Sequence, residues 1–169
     1  MPEEQGRADR PHRLFNLAKR LASKQEDFHA VRGPGAGDKA TGIFMRELIL
    51  RARKLFDGED YSEKRICGSN SFAVDFYFPE ERTIVEVALG LPNPASEFEK
   101  DVLKAIMAKE SGHQVARLLF ISRPGASRKC SQPGRTAIKE WALKNHDLRV
   151  EIRDLDGEPR RRLRSRKPV

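Results

Sequence analysis

Two acidic residues, Asp75 and Glu86, lie in apolar segments on either side of a short turn. Asp75 falls within "SFAVDFYFP", which is rich in aromatic residues, and Glu86 falls within "TIVEVALG", which is otherwise apolar. Such segments are typical of β-strands, and the three residues between them, "EER", predict a hairpin. Because side chains alternate along a strand, a hairpin can place the two carboxylates side by side on one face.

Two carboxylates that lie side by side in an apolar setting repel each other and lose solvation. A divalent cation removes both problems, and hard oxygen ligands suit Mg²⁺ (or Mn²⁺), which keeps waters and takes phosphate oxygens. Such a metal can generate hydroxide and stabilise the charge of a phosphodiester transition state. The alternative is that Asp75 makes a local turn or a salt bridge and that Glu86 pairs with an arginine. Because two acids flank one hairpin, we favour a metal site with Asp75 and Glu86 as ligands.

The sequence around these acids predicts an α/β fold in which a mixed central sheet is flanked by helices. Helical spacing of apolar residues and apolar or alternating runs indicate the elements. In chain order they are a helix at 43–56, strands at 61–68, 71–79 and 83–90, a helix at 96–111 that starts with a capping box, a strand at 114–122, a helix at 134–146 and a strand at 148–155. The late strand–helix–strand unit implies a parallel pair with a right-handed crossover. The early strands are close enough in sequence for antiparallel hairpins.

Composition predicts three regions along the 169 residues. Residues 1–41 are expected to be a flexible arm with a short helix, because a helical pattern precedes a glycine-rich linker at 33–42. Residues 42–156 would form the α/β domain, and residues 157–169 a basic disordered tail. No apolar run approaches the length needed to span a membrane, and the first residues lack the apolar core of a signal peptide. We therefore expect a cytoplasmic protein with no membrane partner.

The charge pattern points to a polyanion. The net charge is +8, and one segment of the otherwise neutral middle, "RPGASRKCSQPGR" (123–135), is basic and contains no acid. Its basic residues are Arg123, Arg128, Lys129 and Arg135. A basic loop and a basic tail suit nucleic acid. Solubility is the alternative explanation for the tail, and a role in RNA binding would rest on charge alone.

The spacing of Asp75, ten residues, Glu86, Val87 and Ala88 resembles the PD-(D/E)xK nuclease superfamily, which includes many restriction endonucleases and DNA-repair nucleases. The predicted element order is similar to that of the αβββαβ core of the superfamily, over about 43–154, or two-thirds of the chain. The resemblance implies that Asp75 and Glu86 bind the metal. It also implies a Mg²⁺-dependent deoxyribonuclease that hydrolyses phosphodiester bonds inside DNA. We expect a homodimer if both strands are cut.

The chain departs from the superfamily pattern at Ala88, where a lysine usually holds the attacking water or the scissile phosphate. Lys100 and Lys104 are candidates to replace it, because some members place an active-site side chain on the following helix; a solvated lysine face is the alternative. The first helix of this fold often directs an acid at the site, which points to Glu47, although a salt bridge to Arg51 would also explain that residue. If no lysine replaces the missing one, the protein is a catalytically inactive relative that binds nucleic acid or a protein partner.

Overall fold

A computed structural model describes residues 9–25, 28, 36–92 and 97–155. The elements are, in chain order, α1 (Arg10–Lys24), α2 (Ala36–Leu55), β1 (Ser62–Lys64), β2 (Val74–Phe78), β3 (Thr83–Val87), α3 (Phe98–Glu110), β4 (Arg117–Ser122), α4 (Ala126–Lys129), α5 (Pro133–His146) and β5 (Arg149–Asp154). The mixed α/β fold predicted from the sequence is confirmed. The predicted capping box and the predicted tail at 157–169 involve residues outside the described ranges.

The five strands form one sheet in the order β1-β2-β3-β4-β5. The first three strands pair antiparallel through short connections. The last three pair parallel, and the crossovers between them contain α3 and α5. The sheet is therefore mixed, and it contains the parallel pair predicted for the late strand–helix–strand unit, β4 with β5, as well as a second, β3 with β4.

Different helices cover the two faces of the sheet. α1 and α2 belong to one hydrophobic core, in which Leu48 of α2 packs with Val85 of β3. α3 and α5 belong to the other core, which contains Val102 and Ile84. Since residues alternate along β3, Glu86 points to the same face as Ile84, toward α3.

The helix α1 packs into the main domain, in contrast to the flexible arm expected for residues 1–41. Leu14, Leu17 and Leu21 are buried in the same core as the apolar face of α2. The Arg13 guanidinium donates a hydrogen bond to the Leu55 carbonyl at 2.9 Å. α2 also begins at Ala36, inside the predicted linker. The reason is that the leucine stripe of α1 packs against apolar residues of the sheet and of α2. Sequence periodicity shows the stripe but not the surface against which it packs.

A short helix, α4, lies within the predicted basic loop. Gly125 precedes it with a φ of 95°, a left-handed conformation that favours glycine. The Asp154 carboxylate at the end of β5 accepts hydrogen bonds from the backbone N–H groups of Gly125 at 3.1 Å and Ser127 at 2.9 Å. The loop is therefore fixed to the sheet. In the described part of the chain, no helix combines the length and the apolar character needed to cross a membrane.

Candidate active site

The pairing of β2 with β3 places Asp75 beside Glu86. The antiparallel register matches Phe76 with Val85, and one further step sets the two acids opposite each other. The backbone N–H of Val87 donates to Oδ2 of Asp75 at 2.8 Å, and the N–H of Asp75 donates weakly to Oε2 of Glu86 at 3.4 Å. The predicted hairpin is confirmed, and it holds the two carboxyl groups within hydrogen-bonding reach of each other.

The helix α3 adds an acid and a lysine to this pair. The Nζ atom of Lys104 lies 2.7 Å from Oε1 of Glu86 and 3.0 Å from Oδ1 of Asp101. Glu86 is 2% exposed, Asp101 5% and Lys104 7%. Three carboxyl groups and one ammonium therefore meet in a space that excludes most water.

These groups line a cavity of about 490 Å³. Its walls come from the start of α2, through Thr41 and Met45, from the acids of β2 and β3, from the segment that follows β3, and from α3. Ala88 also lies on this wall. Its carbonyl accepts a hydrogen bond from the Ser122 hydroxyl at 2.5 Å, which ties the ends of β3 and β4 together.

Burial and mutual repulsion dominate the electrostatics of the cavity. Burial raises the pKa of Glu86 to about 9, and the nearby charges of Asp75 and Asp101 add to this effect. Burial also raises the pKa of Asp75 and that of Asp101, against the opposing effect of Lys104. Burial would lower the pKa of Lys104, but its contacts with Glu86 and Asp101 outweigh it and raise that pKa above its ordinary value. One ammonium thus faces three carboxyl groups, a balance that favours an added cation.

The donor set fits a metal with few protein ligands. Oε1 of Glu86 pairs with Lys104 but accepts no hydrogen bond of ordinary geometry within the described ranges. Those ranges also contain no group of three or more His, Cys, Asp or Glu side chains arranged to hold a metal. Mg²⁺ commonly takes one or two carboxylates and fills its other positions with water and phosphate oxygens. Asp75 and Glu86 provide the two carboxylates of such a site, in which the protein does not surround the metal completely.

The structure separates the two lysine candidates. Glu97, Asp101 and Lys104 line the cavity at a spacing of four and then three residues, which places them on one face of α3. Lys100 lies beside this face, pairs with Glu97 at 3.1 Å and does not line the cavity. Of the two, Lys104 is the one that reaches the acids.

Glu47 is not among the residues that line the cavity, whereas Asp101 is. The Glu47 carboxylate pairs with Arg51 at 2.6 Å, the alternative that the sequence left open. Asp101 had not been predicted as a site residue. The signal that would have found it is its spacing of three residues from Lys104 on a helix whose neighbouring face is apolar.

The four basic residues of the 123–135 segment have different surroundings. Arg128 is exposed and Lys129 is partly exposed on α4. Arg123 donates to the Phe28 carbonyl at 3.3 Å, and burial lowers its pKa. Arg135 is buried and donates to the Leu91 carbonyl at 2.7 Å, in the segment that lines the cavity. Arg128 is therefore the most exposed of the four side chains, and Arg135 the most buried.

Comparison of the chain with models of known protein families, with curated proteins and with solved structures finds no match. The geometry of the cavity residues is thus the main guide to what the protein does.

Proposed function

We propose that the protein is a metal-dependent nuclease that hydrolyses phosphodiester bonds of DNA at a site built on Asp75 and Glu86, with Mg²⁺ or Mn²⁺ as its cofactor. The observation that carries this proposal is the position of Lys104, whose ammonium reaches Glu86 across the cavity that Ala88 also lines. A restriction endonuclease-like core would need a lysine there, and α3 offers one from a different position in the sequence.

Each side chain has a role that follows from its contacts. Asp75 and Glu86 would hold the metal, and the metal when bound would supply a hydroxide at neutral pH and stabilise negative charge on the phosphate. Lys104 would donate a hydrogen bond to the scissile phosphate or to the attacking water. Asp101 positions Lys104 through the contact at 3.0 Å. Glu86 must lose its proton when the metal binds, because its pKa of about 9 keeps it protonated at neutral pH.

A catalytically inactive nuclease fold that binds nucleic acid is the second candidate. Two observations favour it: Ala88 occupies the position at which the superfamily pattern has a lysine, and the Lys104 ammonium already contacts Glu86 and Asp101. In such a protein the same contacts would only stabilise a buried charge cluster. Metal binding and DNA cleavage distinguish the two candidates.

The test is cleavage of supercoiled plasmid and of labelled oligonucleotides with Mg²⁺ or Mn²⁺. Wild type should cut, and Asp75→Asn and Glu86→Gln should each lose activity by about 100-fold or more while keeping a native circular dichroism spectrum. Calorimetry should show Mn²⁺ binding to wild type and its loss in both variants. Glu47→Gln and Lys144→Ala are matched controls, because Glu47 does not line the cavity and Lys144 is exposed at the far end of α5.

The outcomes separate the candidates. Wild type that binds Mn²⁺ and cuts, with inactive acid variants, agrees with the nuclease. Wild type that binds DNA but is inert with every divalent metal agrees with the inactive fold. Activity that survives in Asp75→Asn and Glu86→Gln would overturn the metal site.

A further inference from the structure

An aromatic ring, that of Phe72, is exposed on the segment that leads into β2. The residue is 39% exposed. Its segment is nonetheless fixed, because the Phe72 N–H donates to Oδ1 of Asn70 at 2.8 Å and Nδ2 of Asn70 donates to the Cys67 carbonyl at 2.6 Å. The ring is therefore presented to solvent by an ordered turn.

A lysine lies against this ring. The Nζ atom of Lys100 is 5.5 Å from the ring centroid of Phe72, and the Lys100 side chain is 48% exposed. The distance is within the range of a cation–π contact. An apolar face and a positive charge, which also pairs with Glu97 at 3.1 Å, are thus presented together.

The pair is linked to residues that line the active-site cavity, and these two side chains are called the rim below. Phe72 precedes Asp75 by three residues in the chain. Lys100 contacts Glu97 at 3.1 Å, and Glu97 lines the cavity together with Lys104. A strand of nucleic acid whose phosphate enters the cavity would pass over this rim.

The two side chains of the rim suit the two parts of one nucleotide, its base and its phosphate. Aromatic side chains stack on nucleobases without regard to sequence, and a neighbouring cation contacts the phosphate. The cavity itself is rich in carboxyl groups, so a positive charge at its edge helps a polyanion to approach. In a duplex the base faces are stacked on each other, so a protein ring stacks on a base most readily where the base is unpaired.

We propose that Phe72 and Lys100 form a rim site that stacks an unpaired nucleobase and holds its phosphate, so that the substrate is single-stranded DNA or DNA with unpaired nucleotides beside the scissile bond. This inference rests on the proposed nuclease function for its biological meaning. The stacking contact itself can be measured whether or not the protein cuts DNA.

Binding of a labelled 12-nucleotide single strand in EDTA, where no hydrolysis occurs, tests the rim directly. Phe72→Ala should weaken single-strand binding by about tenfold and leave binding to the matched duplex unchanged, whereas Phe72→Trp should retain it. Lys100→Gln should weaken binding and reduce the slope of log affinity against log salt by about one. Trp141→Phe is the matched aromatic control, because Trp141 is exposed at 45% on α5 and packs against His146.

A fluorescence measurement reports stacking itself. In the Trp141→Phe background, Phe72→Trp places the protein's sole tryptophan at the rim. The single strand should quench its emission, and the duplex should not. Equal single-strand affinity of wild type and Phe72→Ala, equal losses on single strand and duplex, or absence of single-strand binding would each overturn the rim site. Failure of the nuclease proposal would instead appear as an inert wild type that still shows the Phe72-dependent binding.

Discussion

The ammonium of Lys104 lies 2.7 Å from Oε1 of Glu86. Lys104 follows Glu86 by eighteen residues and lies on α3, the helix that covers the strand of Glu86. Ala88, two residues after Glu86, has no group that could reach the acid. A side chain on α3 can take the place of one on β3 because both point into the same space between helix and sheet. The geometry therefore places a positive charge from the helix beside the acid of the strand, as the proposed nuclease function requires.

Asp101→Asn should make the protein more stable and less active. One ammonium faces three carboxyl groups, and the amide oxygen of asparagine can keep the contact with Lys104 while one negative charge is removed. We expect a gain of about 1 kcal/mol in the free energy of unfolding and a fall in the rate of DNA cleavage. Thermal melting in EDTA, together with the plasmid assay, measures both. A variant that loses stability and keeps full activity would show that Asp101 is only a structural partner.

In EDTA the free energy of unfolding should fall as the pH rises from about 5 to about 9. Folded Glu86 holds its proton up to a pKa of about 9, whereas the ordinary value is 4.5. The folded state therefore binds more protons in this range, and its stability is lost as the pH rises through the folded pKa. Denaturant titrations at several pH values measure this dependence. Glu86→Gln should flatten it and Glu47→Gln should keep it; parallel curves for wild type and Glu86→Gln would contradict the assignment.

Binding of nucleic acid through the α4 loop should depend steeply on salt. Arg128 is exposed on a segment that Asp154 fixes to the sheet. Each phosphate contact releases counterions, so Arg128→Ala should reduce the slope of log affinity against log salt by about one. Deletion of 158–169 should flatten it further if the tail also contacts phosphates. Fluorescence anisotropy between 50 and 200 mM salt, roughly the range over which such effects are large, is the measurement, with Lys144→Ala as control. An affinity that is independent of salt would exclude both basic segments as contacts.

The hairpin that holds Asp75 and Glu86 could be predicted because its determinants are local. A short turn, residues 79–82, joins the two strands, and alternation fixes which side chains share a face. The choice between Lys100 and Lys104 could not be made in this way. It depends on the rotation of α3 about its axis relative to the sheet, which is set by packing of Val102 and its neighbours in the core.

Burial explains the other differences between the sequence and the structure. A basic segment looks the same in a sequence whether its side chains reach solvent or not, so Arg123 and Arg135 were grouped with Arg128. In the structure Arg135 instead holds the carbonyl of Leu91 beside the cavity. For a similar reason the sequence predicts an arm where α1 packs into a core, since the pattern shows an apolar stripe but not the surface that covers it.

The proposed role of Lys104 is tested most directly by a variant in which the lysine is removed from α3 and placed at position 88 instead. Plasmid cleavage with Mg²⁺ or Mn²⁺ is compared for wild type, Lys104→Ala, Ala88→Lys and the double variant, each checked for a native circular dichroism spectrum. If Lys104 supplies the missing charge, Lys104→Ala should lose activity by about 100-fold or more, and Ala88→Lys in the same chain should restore a measurable part of it. If Lys104→Ala keeps full activity, the proposed role of Lys104 is contradicted. If wild type is inert with both metals while Ala88→Lys gains cleavage, the nuclease proposal is contradicted and the second candidate, a protein that binds nucleic acid without cutting it, is favoured.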